Sequence, residues 1–280
     1  MPIKVDASGR RWVEMELVVA GTPEQVWAAV ATGPGNAGWF VAAEIEPKVG
    51  GALAFDFGGG ASSRGEVTHW DPPNRFCYVE REWKDDAPPV ATEITVTARS
   101  GDRCLVRMMH SLFTSSDAWD DELEGFESGW ATFFAILQLY VPHFAGAPAG
   151  SFMFAFPTGG EPLPVWRRLV QELGLAGVDV GERRTLTGPE AASGRVERVG
   201  QDAEQRYVVL RLDEPNPGIV AVGLHVTPTS PPTLRVGVCR YVYGDGAKAI
   251  AEEHGATWYR WLDQTFGEGA PTPERAATGP

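Results

Sequence analysis

Gly65-Glu66-Val67 is followed, thirteen positions after its glycine, by Tyr78; Gly194-Arg195-Val196 is followed at the same interval by Tyr207. Each copy runs on to a long amphipathic segment with aromatic anchors, Trp130, Phe133 and Phe134 in the first and Trp258, Trp261 and Leu262 in the second. Residue 65 to residue 194 is an offset of 129, and residue 130 to residue 258 one of 128. An offset that stays nearly constant over such a distance points to duplication of one whole domain. Each copy ends in a helix that must lie on something, and the strands before it are the obvious partner.

A chain of 280 residues holds about two domains of average size, and each half is long enough to bury a core. The net charge of −13, with no cluster of Lys and Arg, excludes nucleic acid and other polyanions as partners. Cys77, Cys104 and Cys239 are odd in number and spaced like neither a disulfide scaffold nor a zinc site. They read as reduced thiols of a cytoplasmic protein. The N-terminus carries no apolar signal segment and no run approaches the roughly 18 apolar residues of a span, so no membrane is expected.

Between these landmarks, Val13, Met15, Leu17 and Val19 alternate with Trp12, Glu14, Glu16 and Val18, the pattern of a half-buried strand. Thr22-Pro23-Glu24 starts a helix with an N-cap, a proline at the first position and an acid in the first turn. Val26, Trp27 and Val30 give it an apolar side, and Gly33-Pro34-Gly35-Asn36 ends it. Leu53, Phe55 and Phe57 alternate as the next strand, turned by Gly58-Gly59-Gly60. Val67, Phe76 to Trp83, Ile94 with Val96, and Leu105 to Phe113 are further strands, separated by turns at 71–74 and 100–102. A helix runs from about Trp119 to Val141.

The second half repeats the order after a linker at 146–150. It shows a strand at Ser151–Phe156, a helix over 161–173, four strands between 195 and 243, and a last helix over Ala247–Phe266. Strand, helix, a run of antiparallel strands and a long closing helix make an α+β architecture with helices on one face of the sheet. The domains are expected at 1–146 and 150–267, with 268–280 a disordered tail. The second copy has only Gly174–Ser193 where the first has Trp39-Phe40 and the Gly50-Gly51 hairpin, so it has lost part of any cavity wall.

The run Thr22-Pro23-Glu24-Gln25-Val26-Trp27, then Trp39-Phe40, Gly50-Gly51, Gly65-Glu66-Val67, Pro72-Pro73 with Arg75, His110 and Gly129-Trp130 resembles the SRPBCC superfamily, which includes START domains and the birch-pollen allergens. Within it, the landmarks are most similar to the homologues of the activator of the heat-shock chaperone ATPase. They cover about residues 10–145, and residues 150–266 follow weakly through the shared frame. The resemblance implies two tandem helix-grip domains, each a seven-stranded curved antiparallel sheet around a long C-terminal helix, often with an apolar cavity between them. It implies carriers, sensors, polyketide cyclases or a co-chaperone, and fold alone does not choose among these.

The candidate ligand-binding residues are Trp39, Phe40, Phe55, Phe57, Trp83, Met108, His110, Trp130, Phe133, Phe134 and Leu137. Aromatic residues on a sheet and on the helix facing it either line a pocket for an apolar or aromatic small molecule or simply fill the core. His110 shares a strand face with Cys104, Val106 and Met108, and its counterpart in the second copy falls near Arg240. It either orients a ligand or is a satisfied histidine at the rim. Glu80 or Glu82, and Arg107, are candidate inward polar groups or solvated ones. The acids Asp117, Asp120, Asp121, Glu122 and Glu124 fit a helix N-terminus better than a metal site. No histidines stand at ligand spacing, no phosphate cradle or G-x-S-x-G occurs, and neither metal, cofactor nor catalytic residue is expected.

Overall fold

The computed structural model describes residues 3–7, 9–58, 60–81, 83, 87–114, 117–201, 206–227 and 233–267. The tail 268–280, expected to be disordered, lies outside the described residues. The chain divides into two compact units, Met1–Gly146 and Ala147–Pro280.

In the first unit β1 (Lys4–Val5) and β2 (Arg11–Ala20) precede α1 (Pro23–Ala31) and a helical turn, α2 (Gly33–Asn36). Then come β3 (Ala42–Ile45), β4 (Ala52–Gly58), β5 (Ala61–Asp71), β6 (Arg75–Glu80), β7 (Val90–Arg99), β8 (Arg103–Leu112) and α3 (Asp120–Phe144). The alternation of β2 buries Val13, Met15, Leu17 and Val19. Thr22 and Gln25 close a capping box, with the Gln25 backbone N–H donating to Thr22 Oγ1 at 3.3 Å and the Thr22 N–H to Gln25 Oε1 at 2.9 Å. Pro23 loses nothing there, because a first-turn N–H has no partner inside the helix. The strands order as β1-β2-β8-β7-β6-β5-β4-β3, all neighbours antiparallel. That is eight strands among the described residues where seven were expected, the extra one being the two-residue β1. Helix α3 packs on β2 and β8 and buries Leu123, Trp130, Phe134, Ile136, Leu137 and Tyr140.

The second unit comprises β9 (Ala149–Thr158), α4 (Pro162–Glu172), β10 (Arg183–Thr185), β11 (Ser193–Gln201), β12 (Arg206–Glu214), β13 (Gly218–Thr227), β14 (Thr233–Tyr243) and α5 (Ala247–Phe266). Its six-stranded sheet runs β10-β11-β12-β13-β14-β9, and α5 packs on β9 and β14. The two units therefore repeat one helix-grip plan, with β2, α1, β5 to β8 and α3 answering to β9, α4, β11 to β14 and α5. The short β10 stands where the first unit has the β3–β4 hairpin. The expected linker is shorter than its composition suggests, since Ala149 and Gly150 already pair with Tyr243 and Val242.

The glycines of the repeated frame are equivalent. A Cβ on Gly65 would stand 2.4 Å from the Val79 carbonyl oxygen, and one on Gly194 would stand 2.2 Å from that of Arg211. The tyrosines are not equivalent: Tyr78 pairs with Val67, but Tyr207 pairs with Gly200 near the hairpin end. The second hairpin is three residues longer, so an equal interval in sequence leads to a different place in the sheet. Trp83, expected at a strand end, lies in a bend beyond β6.

Candidate functional site in the first unit

Beside α3 the first unit contains a cavity of about 310 Å³, the lower end of the range of about 300–1,000 Å³ typical of small-molecule sites. Phe40, Phe55, Phe57, Tyr78, Trp83, Trp130 and Phe133 form its aromatic wall, completed by Ala61, Ser62, Ser63, Glu80, Val90 and His110. Seven of the eleven candidates thus come together. The other four do not line it: Trp39, Met108, Phe134 and Leu137 are buried behind the wall. Trp39 is 1 % exposed and donates its indole N–H to the Ala29 carbonyl at 2.9 Å, which anchors α2. Its neighbour Phe40 takes the cavity position, stacked obliquely on Trp130 at 4.6 Å between ring centroids.

Phe57 departs from the alternation that Leu53 and Phe55 set. The register of β4 and β5 shifts between Asp56 and Gly58, and the Gly58 N–H folds back onto Asp56 Oδ1 at 2.9 Å. Phe57 is 42 % exposed as a result and stands at the mouth with the half-buried Trp83 and Phe133 and the exposed Ala61 and Ser62.

Tyr78, His110 and Glu80 of the lining lie in two rows of directly opposed residues. Tyr78, Thr92 and His110 face one another across β6, β7 and β8, and Gly65, Glu80, Val90 and Leu112 form the next inward row. Thr92 Oγ1 is 2.8 Å from His110 Nδ1, and the His110 ring stacks on Trp130 with 5.6 Å between centroids. Burial lowers the His110 pKa to about 4, so the ring is neutral at pH 7. Burial raises the Glu80 carboxyl above the usual range, against the hydrogen bond it accepts from Ser63 Oγ. Tyr78 is raised too, by burial and by the charge of Glu80. The sequence offered Glu80 or Glu82 as the inward acid, of which Glu82 lies outside the described residues, and Ser63 and Thr92 carried no signal there. Arg107 belongs to the opposite face, paired with Glu14 at 2.6 Å. Asp120, at the head of α3, is engaged by Arg11 Nε at 2.6 Å.

His110 makes a pH prediction. An unfolded histidine titrates near 6.5 and the folded one near 4, so the unfolded chain binds the extra proton between those values. The contribution is whole above about pH 6.5 and drains as pH falls towards 4, about 3 kcal/mol in all. Glu80, raised by folding, runs the other way and loses stability as pH rises from the ordinary carboxylate range. The difference between melts of wild type and His110→Gln therefore isolates the histidine: it should shrink from pH 7 to pH 5. A difference independent of pH would show that folding leaves the His110 pKa where it is in the unfolded chain.

In the second unit the same register positions hold other residues. Leu210, Val220 and Arg240 replace Tyr78, Thr92 and His110, and Leu212 and Gly218 replace Glu80 and Val90. Arg240, expected near the position of His110, occupies it and is 0 % exposed. Its Nε donates to Glu190 Oε1 at 2.8 Å and its Nη1 to the Tyr241 carbonyl at 2.5 Å, while His254 Nδ1 is 2.5 Å from Glu190 Oε2. Gly218 makes room for the guanidinium, since a Cβ there would lie 2.1 Å from Arg240 Nη1. A buried ion pair thus stands where the first unit has its polar row.

Residues 20–141 match the family model described as Activator of Hsp90 ATPase homolog 1-like protein. No curated protein matches the chain. Among solved structures, MLL2253 of Mesorhizobium loti is 21 % identical over 47 % of this chain and 97 % of its own, with a TM-score of 0.43. CalU16 of Micromonospora echinospora is 18 % identical over 50 % of this chain and 83 % of its own, TM-score 0.41. DynU16, from the dynemicin biosynthetic locus, is 18 % identical over 88 % of this chain and 94 % of its own, TM-score 0.41. No helix among the described residues is long and apolar enough to cross a membrane.

Proposed function

We propose, from the match of residues 20–141 to the family model described as Activator of Hsp90 ATPase homolog 1-like protein, that the first unit binds an apolar or aromatic small molecule in its cavity, as a carrier or sensor working in the cytoplasm. The observation that carries this is the cavity of about 310 Å³ with seven aromatic side chains in its wall. Protein interiors pack densely and leave few voids larger than a water, so a space of this size is retained against the tendency of aromatic rings to close it. A few polar groups at one side suffice to orient a guest.

A second reading, a cyclase-type enzyme, is favoured by one observation: Glu80, Tyr78 and His110 are three titratable groups in one apolar chamber. Such groups serve acid–base chemistry best when they titrate near neutrality. The low value at His110 and the raised Tyr78 fit that role poorly, which keeps binding ahead. The activity in the family's name belongs to the proteins it was given for, and nothing in this cavity calls for a chaperone.

Displacement of a fluorescent apolar probe tests the proposal. The full chain should bind the probe at micromolar protein, and Ala61→Trp, at the exposed mouth, should weaken binding without changing the melt. A wild-type chain that takes up no probe would sink the carrier and the enzyme readings together.

A further inference from the structure

Resting on the cavity reading above, we propose that the guest carries a cationic nitrogen, an amine or quaternary ammonium held between the Glu80 carboxylate and the aromatic wall. Among the described lining residues Glu80 is the one acidic side chain, and there is no Lys or Arg to pair with it. Ser63 Oγ binds its Oε1, a single hydrogen bond to a group that can accept about four. A half-buried carboxylate so poorly matched in an apolar lining is costly, and it shifts toward its neutral form rather than stay charged alone. The raised Glu80 carboxyl expresses that cost. A cation arriving in the cavity removes it and restores the ionised form.

The wall suits the same guest. Phe40 and Trp130 lie 4.6 Å apart, Phe55 and Tyr78 5.6 Å, and Phe40 and Phe55 5.8 Å between centroids. Ring faces carry negative charge density and attract a cation within about 6 Å of the centroid. The other titratable groups facing Glu80 bring no opposing charge at neutral pH: His110 is neutral and Tyr78 keeps its proton. A carboxylate guest meets Glu80 and no described cation, and a neutral guest leaves the acid unpaired. The chain's net charge of −13 favours the approach of cations as well.

The test is calorimetric titration of the full chain with three probes on one skeleton: naphthylmethylamine, naphthylmethanol and naphthoic acid. The amine should bind about tenfold more tightly than the alcohol or better, and the acid should bind weakest. Glu80→Gln keeps the shape, and Glu80→Leu installs the residue that the second unit carries at this register position. Within each variant the amine should lose its preference over the alcohol. Equal affinities for amine and alcohol in wild type, or an amine preference that survives both substitutions, would overturn the inference and leave the cavity reading standing. Failure of all three probes to bind would remove both.

Discussion

Trp258→Ala is expected to cost the second unit about 3–5 kcal/mol, the range for truncating a buried aromatic. Trp258 is 0 % exposed, packs near Phe152 at 6.4 Å and Trp261 at 5.7 Å, and sits at the centre of a cluster drawn from α4, α5 and every long strand of that unit. The ring is fully buried, so the loss combines the transfer term with the void left behind. With a urea slope of about 1–3 kcal/mol per molar, the midpoint of the transition that reports the second unit should fall by roughly 1 M or more. Trp130→Ala should come at the low end of the same range, because one side of its ring already faces the cavity. A Trp258→Ala chain melting with the wild type would show that α5 is not anchored by this ring.

Glu190→Ala is expected to be as damaging for a different reason. It strips Arg240 of its carboxylate partner while the guanidinium remains at 0 % exposure. Breaking a buried pair by removing one partner costs about 3–5 kcal/mol, whereas replacing the whole pair by apolar residues of similar size is often neutral or better. Arg240→Met combined with Glu190→Leu should therefore recover most of what Glu190→Ala loses. Millimolar acetate should also raise the melting temperature of Glu190→Ala more than that of wild type, by supplying the missing carboxylate. A double variant no more stable than the single one would mean that the damage comes from the 188–192 loop and not from the stranded charge.

The plan of both units was legible because it rests on local patterns. Alternation marks β2, the capping residues mark α1, and the glycines at 65 and 194 mark a close approach of neighbouring strands. The cavity wall was legible only by residue type. Trp39 and Phe40 are adjacent aromatics, and which one faces the cavity depends on how α2 turns the chain. In β6 the run Phe76-Cys77-Tyr78-Val79 is apolar at every position, so hydrophobicity alone does not show which parity faces inward. The signal for Glu80 was its parity with Phe76 and Tyr78, both buried. Glu190 was not legible at all: it reaches Arg240 from a loop 50 residues earlier in the chain, and no periodicity announces such a contact.

The register match between the two sheets also makes the second unit a record of mutational tolerance. The second unit holds leucine at the places of Tyr78 and Glu80, valine at that of Thr92, glycine at that of Val90 and arginine at that of His110, and a sheet still forms around them. An engineer wishing to reshape the chamber of the first unit need not begin from random libraries. The partner copy supplies a short alphabet for each lining position, together with one warning: arginine at the position of His110 comes with a glycine to make room and a glutamate to meet its charge.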